Sequence, residues 1–172
     1  MKLYYSAGAC SLSPHIVLEE AGLPYEAISA PTKTKVLPDG SDYRKVNPLG
    51  YVPYLVLDDG TGLREGPAIV QYLADQAPAK KLAPANGTPA RYQLQSWLNF
   101  VATEVHKGFS PLFNPAMPDE AKRLSKERVL DRLGPHIQHQ IDAYGEWTKG
   151  AGNTTAAGNP SAGTDLRDAV KG

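Results

Sequence analysis

Cys10 is the one cysteine among 172 residues, and its position gives it chemical interest. It stands two residues after Gly8, between a short β-forming run at 2–6 and a segment that opens a helix. A thiol at a helix N-terminus meets unpaired N–H groups and the positive end of the helix dipole, which favour thiolate and lower the pKa. The order strand, Cys-Ser-Leu-Ser, helix is what a thiol–disulfide site in a thioredoxin-like unit needs, with Ser13 where a resolving cysteine would stand. A lone thiol closes no internal disulfide, so redox chemistry there requires an external thiol. The pattern alone equally allows Cys10 to be a small buried hydrophobe. Two turns add polar groups. Val52-Pro53 precedes a strand, and a cis bond there would expose the Val52 N–H and C=O to a ligand. Glu65, Gly66 and Pro67 end a strand and start a helix whose free N–H groups suit a carboxylate, although an ordinary strand-to-helix turn reads the same way. Further on, Asn99, Thr103, His106 and Ser110 recur at helical spacing with Lys107 beside them. That stripe is a solvated face unless another unit packs over it.

The elements that must position these groups follow from periodicity. Residues 2–6 read as a strand. Ser13 as N-cap and Pro14 at the first helical position open a helix that Gly22 closes. Residues 25–29 make a weak second strand, and 31–50, polar and rich in Pro and Gly, read mostly as loop. YLVL, Asp59-Gly60 and TGLRE spell strand, tight turn, strand. Ile69, Val70 and Leu73 give one apolar helical stripe over 67–76. The first 76 residues therefore read β-α-β-loop-β-β-α with a mixed sheet. Residues 77–88 lie in a run with three prolines and without apolar periodicity and read as a linker. Beyond it Leu94, Trp97, Leu98, Val101, Val105 and Phe109 define the core face of a long amphipathic helix. Residues 119–133 give a second helix, whose stripe continues through Ile137, Ile141 and Tyr144 after an expected kink or break at Gly134 and Pro135. From Thr148 to the end, five glycines and two large apolar residues, Leu166 and Val170, offer too little burial to offset ordering entropy, so 148–172 reads as disordered.

Composition excludes several classes of function. Lys plus Arg and Asp plus Glu are both 18, and neither half carries the basic excess of a phosphate-backbone binder, so no nucleic-acid partner is expected. No run approaches 18 apolar residues, and the start lacks a signal h-region, so a cytoplasmic protein without a membrane partner is the default expectation. No metal is expected either: His136 and His139 sit three apart but lack a third ligand nearby.

Taken together, KLYYSAGACSLSPHI, NPLGYVPYLVLDDG, EGPAIVQYLAD and WLNFVATEVHKGFSPLFNP resemble, in order over about residues 1–133, the bacterial beta-class glutathione transferases. The resemblance implies an α/β thioredoxin-like N-terminal domain (1–76) that binds glutathione, and an all-α C-terminal domain (89–147) that completes the site. It implies Cys10 facing the glutathione sulfur and forming a mixed disulfide with it. His106 would help stabilise thiolate. Lys35 and Asn99 would contact the tripeptide, with Thr103 and Lys107 near them. Tyr51, Val52 and Pro53 would hold the cysteinyl backbone, and Glu65 with the Gly66 N–H the γ-glutamyl end. Many relatives carry Ser at the position of Gly66, so one hydroxyl contact is lost here while the backbone donor stays. The implied chemistry is conjugation of glutathione to small electrophiles, or thiol–disulfide and peroxide-reducing exchange, serving detoxification or redox balance in a cytoplasmic homodimer.

The pattern departs from the family towards the C-terminus. The family's helical domain continues with a buried helix opened by a Ser/Thr-x-x-Asp capping box, whereas Thr164 is followed three residues later by Arg167. The helical domain therefore reads as incomplete. Two further functions stay open: a truncated or frameshifted non-catalytic remnant, and a glutathione-binding module without turnover.

Overall fold

The structure, a computed structural model, describes residues 1–150 apart from the side chains of Gln140 and of 143–150. The described chain divides into two compact units, the first spanning Met1–Gly108 and the second starting at Phe109.

The first unit is built on a four-stranded mixed sheet. Strands β1 (Lys2–Tyr5), β2 (Glu26–Ser29), β3 (Tyr54–Val56) and β4 (Gly62–Leu63) lie in the order β2-β1-β3-β4. β1 runs parallel to β2 and antiparallel to β3, and β3 and β4 form the expected hairpin. Its turn is set by Asp59, whose carboxylate accepts from the Thr61 N–H at 2.8 Å, and by Gly60 at φ 85°. Alternation along the strands sorts two cores. Leu3 opposite Leu55 faces one side, with Leu18 from α1 (Leu12–Ala21) and Ile69 and Leu73 from α2 (Gly66–Gln76), all fully buried. Tyr4 opposite Tyr54 faces the other side, where the loop between β2 and β3 supplies Leu37 and Tyr43. Each such side chain contributes about 1.5–3 kcal/mol by burial, more than a typical hydrogen bond at about 0.5–1.5 kcal/mol. Hydrophobic burial on the two faces therefore fixes the unit, and polar contacts adjust it.

Gly22 closes α1 in the left-handed conformation, as expected. The helix start differs from the expectation. α1 begins at Leu12 with Ser11, not Ser13, as N-cap. The Ser11 hydroxyl makes no cap bond but turns back to Ser6, so the chain enters the helix two residues early.

Helix α3 (Pro89–Phe100) starts at Thr88, whose hydroxyl accepts from the Arg91 N–H at 3.2 Å. A π segment, Val101–His106, continues it. Three β-branched residues, Val101, Thr103 and Val105, crowd a regular α-turn, and the wider π turn changes the α spacing on which the polar stripe was placed. The apolar stripe is present but shallow: Leu94, Trp97, Leu98 and Val105 are half-buried and Val101 is 48% exposed. Arg91, absent from the expected core, is 2% exposed. It pairs bidentately with Asp75 at 2.7 and 2.8 Å and donates to Gln71 and the Pro84 carbonyl, tying α3 to α2 across the linker.

In the second unit one helix, α4, spans Asp119–Gly150. The expected break at Pro135 does not occur. The proline costs the bond to the Asp131 carbonyl one turn back, and the helix runs through it. Val129 and Leu133 are its buried residues among those described. Of the tail expected to be disordered, Thr148, Lys149 and Gly150 belong to α4, and 151–172 lies outside the described residues.

Candidate functional site

Ser11 builds the turn that carries Cys10. Fully buried, its hydroxyl accepts from the Ser6 N–H at 3.1 Å and lies 3.2 Å from the Ser6 carbonyl, closing the turn between β1 and α1. Cys10 is thereby held exposed at the rim. Its thiol donates to the Val52 carbonyl at 3.5 Å. The thiol pKa is pushed up, not down as expected from the helix end. Partial desolvation is the main cause, its own backbone hydrogen bond opposes it, and the Glu65 carboxylate raises it further. The physical reason is burial: although Ser11 as N-cap brings the start of α1 closer to Cys10 than expected, partial desolvation disfavours the thiolate and the Glu65 charge adds to it.

The Val52-Pro53 bond is cis. The carbonyls that precede Pro53 are each engaged by a side chain. Lys35 donates through Nζ to the Gly50 carbonyl at 2.5 Å, the Tyr43 hydroxyl and Asn47 Nδ2 donate to the Tyr51 carbonyl at 2.8 and 2.9 Å, and Cys10 donates to Val52. The Tyr51 side chain is 71% exposed. Burial holds the Tyr43 hydroxyl protonated, its pKa pushed up to about 12.

Two candidate contacts have left-handed backbones although neither is glycine: Lys35 at φ 59° and Glu65 at φ 67°. Such residues cost on the order of 1–3 kcal/mol and concentrate at functional sites. Glu65 is exposed at the N-terminus of α2, its side chain caps nothing, and its carbonyl accepts from Ala68 and Ile69. Gly66 opens the helix, where N–H groups have no partner within the helix.

The structure thus brings Cys10, Val52, Pro53 and Glu65 together, with Lys35 and Tyr51 on the adjoining loop. Asn99, Thr103, His106 and Lys107 lie exposed on α3 and its π extension within the same unit. The Thr103 hydroxyl donates to the Asn99 carbonyl at 3.0 Å, and no described hydrogen bond or ion pair joins these four to Cys10. Sequence reasoning missed Ser11, Tyr43, Asn47 and Arg64. Asn47 stands directly before Pro48 inside a stretch read as loop, and its burial shows only in the fold. His136 and His139 are exposed on α4, and among the described residues no group of three or more His, Cys, Asp or Glu is placed to hold a metal ion.

The family model for the glutathione S-transferase N-terminal domain matches residues 7–76. Glutathione S-transferase GstA of Escherichia coli O157:H7 is 54% identical over 134 residues, 77% of this chain and 66% of that protein. Glutathione S-transferase GST-4.5 of Xanthomonas campestris pv. campestris is 41% identical over 161 residues, 88% of this chain and 77% of the relative. Among solved structures, a sphingomonad glutathione S-transferase complexed with glutathione superposes with a TM-score of 0.76 at 48% identity, covering 81% of this chain and 69% of that one. The bacterial beta-class enzyme of Sphingomonas chungbukensis gives 0.77 at 46%, covering 83% and 71%. These matches bear out the resemblance read from the four sequence blocks. The chain belongs to the glutathione S-transferase family.

Proposed function

We propose that this chain is a glutathione transferase that binds glutathione beside Cys10 and joins it to small electrophiles or exchanges it with disulfides. The observation that carries this reading is the Cys10 thiol 3.5 Å from the carbonyl of Val52, within the field of Glu65. The glutathione complex of the sphingomonad relative supports it. In this reading the backbone of Tyr51 and Val52 beside Pro53 holds the cysteinyl residue. Glu65 faces the γ-glutamyl ammonium, while the Gly66 N–H and the positive end of α2 take its carboxylate. The Lys35 ammonium gives one of its three donors to Gly50 and keeps two for the tripeptide. Asn99, Thr103 and Lys107 contact the tripeptide, and His106 stabilises the thiolate. In the redox reaction the Cys10 thiolate attacks one sulfur of glutathione disulfide. The S–S bond breaks, a glutathionyl group stays on Cys10, and a glutathione thiolate leaves. We assign glutathione binding to 1–76, a linker to 77–88 and a helical domain to 89–147, in a cytoplasmic homodimer serving detoxification or redox balance.

The test is calorimetric titration with glutathione, together with turnover of glutathione and an aryl chloride. Saturable binding with turnover supports the reading, and the absence of both contradicts it. One observation favours a second reading, binding without turnover: partial desolvation, reinforced by the Glu65 charge, raises the Cys10 thiol pKa and favours the neutral thiol. Binding without measurable conjugation or disulfide exchange would select that alternative.

A further inference from the structure

Asn47 is 1% exposed, and both ends of its amide are used. Nδ2 donates to the Tyr51 carbonyl at 2.9 Å, and Oδ1 accepts from Arg64 Nε at 3.2 Å. Arg64 directly precedes Glu65 and is exposed, yet its guanidinium is also seated over the Tyr54 ring, 5.5 Å from the centroid. That ring lies across Gly62, where an added Cβ would come 1.8 Å from the tyrosine oxygen. Arg64 is thus held from below by a buried aromatic and from the side by a buried amide. A continuous set of contacts runs from the residue before Glu65, through Asn47, to the carbonyl of Tyr51. It connects the start of α2 to the loop that ends at Pro53. These are the two backbone segments to which the glutathione reading assigns opposite ends of one ligand.

We propose that Asn47 and Arg64 are positioning residues of this site, setting the separation between the Tyr51 and Val52 backbone and the Glu65–Gly66 turn without touching the ligand. The inference rests on the glutathione reading. A ligand gripped at two points loses affinity when the spacing of its grips is free to vary, because ordering them is then charged to binding. Removing one hydrogen bond of the link weakens glutathione binding by about three- to tenfold. Once the ligand is bound, the reacting sulfur meets the same groups, so kcat stays within about twofold.

The experiment uses the full chain with Arg64→Met, Arg64→Lys and Asn47→Ala. Glutathione Kd and KM are measured alongside kcat with an aryl chloride, and amide hydrogen exchange is followed in the peptide containing Gly50, Tyr51 and Val52. The expected result is a raised Kd and KM at nearly constant kcat for Arg64→Met and Asn47→Ala, with partial recovery in Arg64→Lys, which keeps a charged donor. If Asn47→Ala does not fold, the exposed Arg64→Met variant decides. Unchanged Kd in the folded variants, or a fall in kcat without a change in Kd, overturns the proposal. Should the unaltered chain fail to bind glutathione, the glutathione reading itself falls and exchange alone decides the link. Faster exchange in Arg64→Met would uphold it, and unchanged exchange would overturn it.

Discussion

Cys10 has a thiol whose pKa is raised first by partial desolvation and further by the charge of Glu65, while its proton is donated to the Val52 carbonyl. The thiol is therefore neutral below its raised pKa, and thiolate grows in as pH rises through that value. Alkylation of Cys10 by iodoacetamide in the free protein should be slower near neutral pH than that of an unstructured cysteine, and should climb on the alkaline side. Replacing the carboxylate by Glu65→Gln removes one raising influence, so the alkylation profile should move to lower pH while keeping its shape. A profile that stays in place, or moves upward, would show that Glu65 does not act on the thiol.

At the scale of elements, the attachment of α3 to α2 is the feature with the largest expected energetic leverage. Arg91 is 2% exposed and its charge is met by Asp75, whose side chain keeps 32% exposure. Removing one partner of a buried pair costs about 3–5 kcal/mol, and the open side of Asp75 places Asp75→Ala near the lower end. Thermal denaturation of that variant should fall by roughly 6–12 °C. The hydrogen bonds from Arg91, aided by Asn86, hold the Asp75 carboxyl below the usual carboxylate range. Its stabilisation is therefore complete above the unfolded-state value near pH ~4 and is lost as pH falls through the folded-state value. The variant should lack that part of the acid-side decline, and an unaltered decline would contradict the assignment. The strands, hairpin and helices of residues 1–76 were legible because binary pattern, Gly22, and Asp59 with Gly60 all agree with the packing. The start of α1 was not, because Ser11 and Ser13 are equally good caps and only the tertiary bond to Ser6 separates them. The π segment and the unbroken passage through Pro135 were not legible either, since local rules describe regular α-helix and not departures that packing tolerates.

At the scale of the whole molecule, the family resemblance grouped Cys10, Val52, Pro53 and Glu65 around one ligand, whereas residue pattern alone left them as separate features. The connecting polar residues, Asn47 and Arg64, carry no motif, and their partners are distant in the chain, so only the fold reveals them. The described protein holds a complete sheet-and-helix unit with its candidate binding surface, and the chain spans 66% of the length of its 54% identical relative. The central claim is that Cys10 lies in a glutathione site and is more than an accessible thiol. Its most direct test is the rate at which one glutathionyl group is added to Cys10 by glutathione disulfide, followed by intact-protein mass spectrometry at increasing disulfide concentration. The account predicts a rate that saturates and is suppressed by S-methylglutathione, which can bind but cannot exchange. A rate that rises linearly, ignores S-methylglutathione and matches that of the unfolded chain would contradict it.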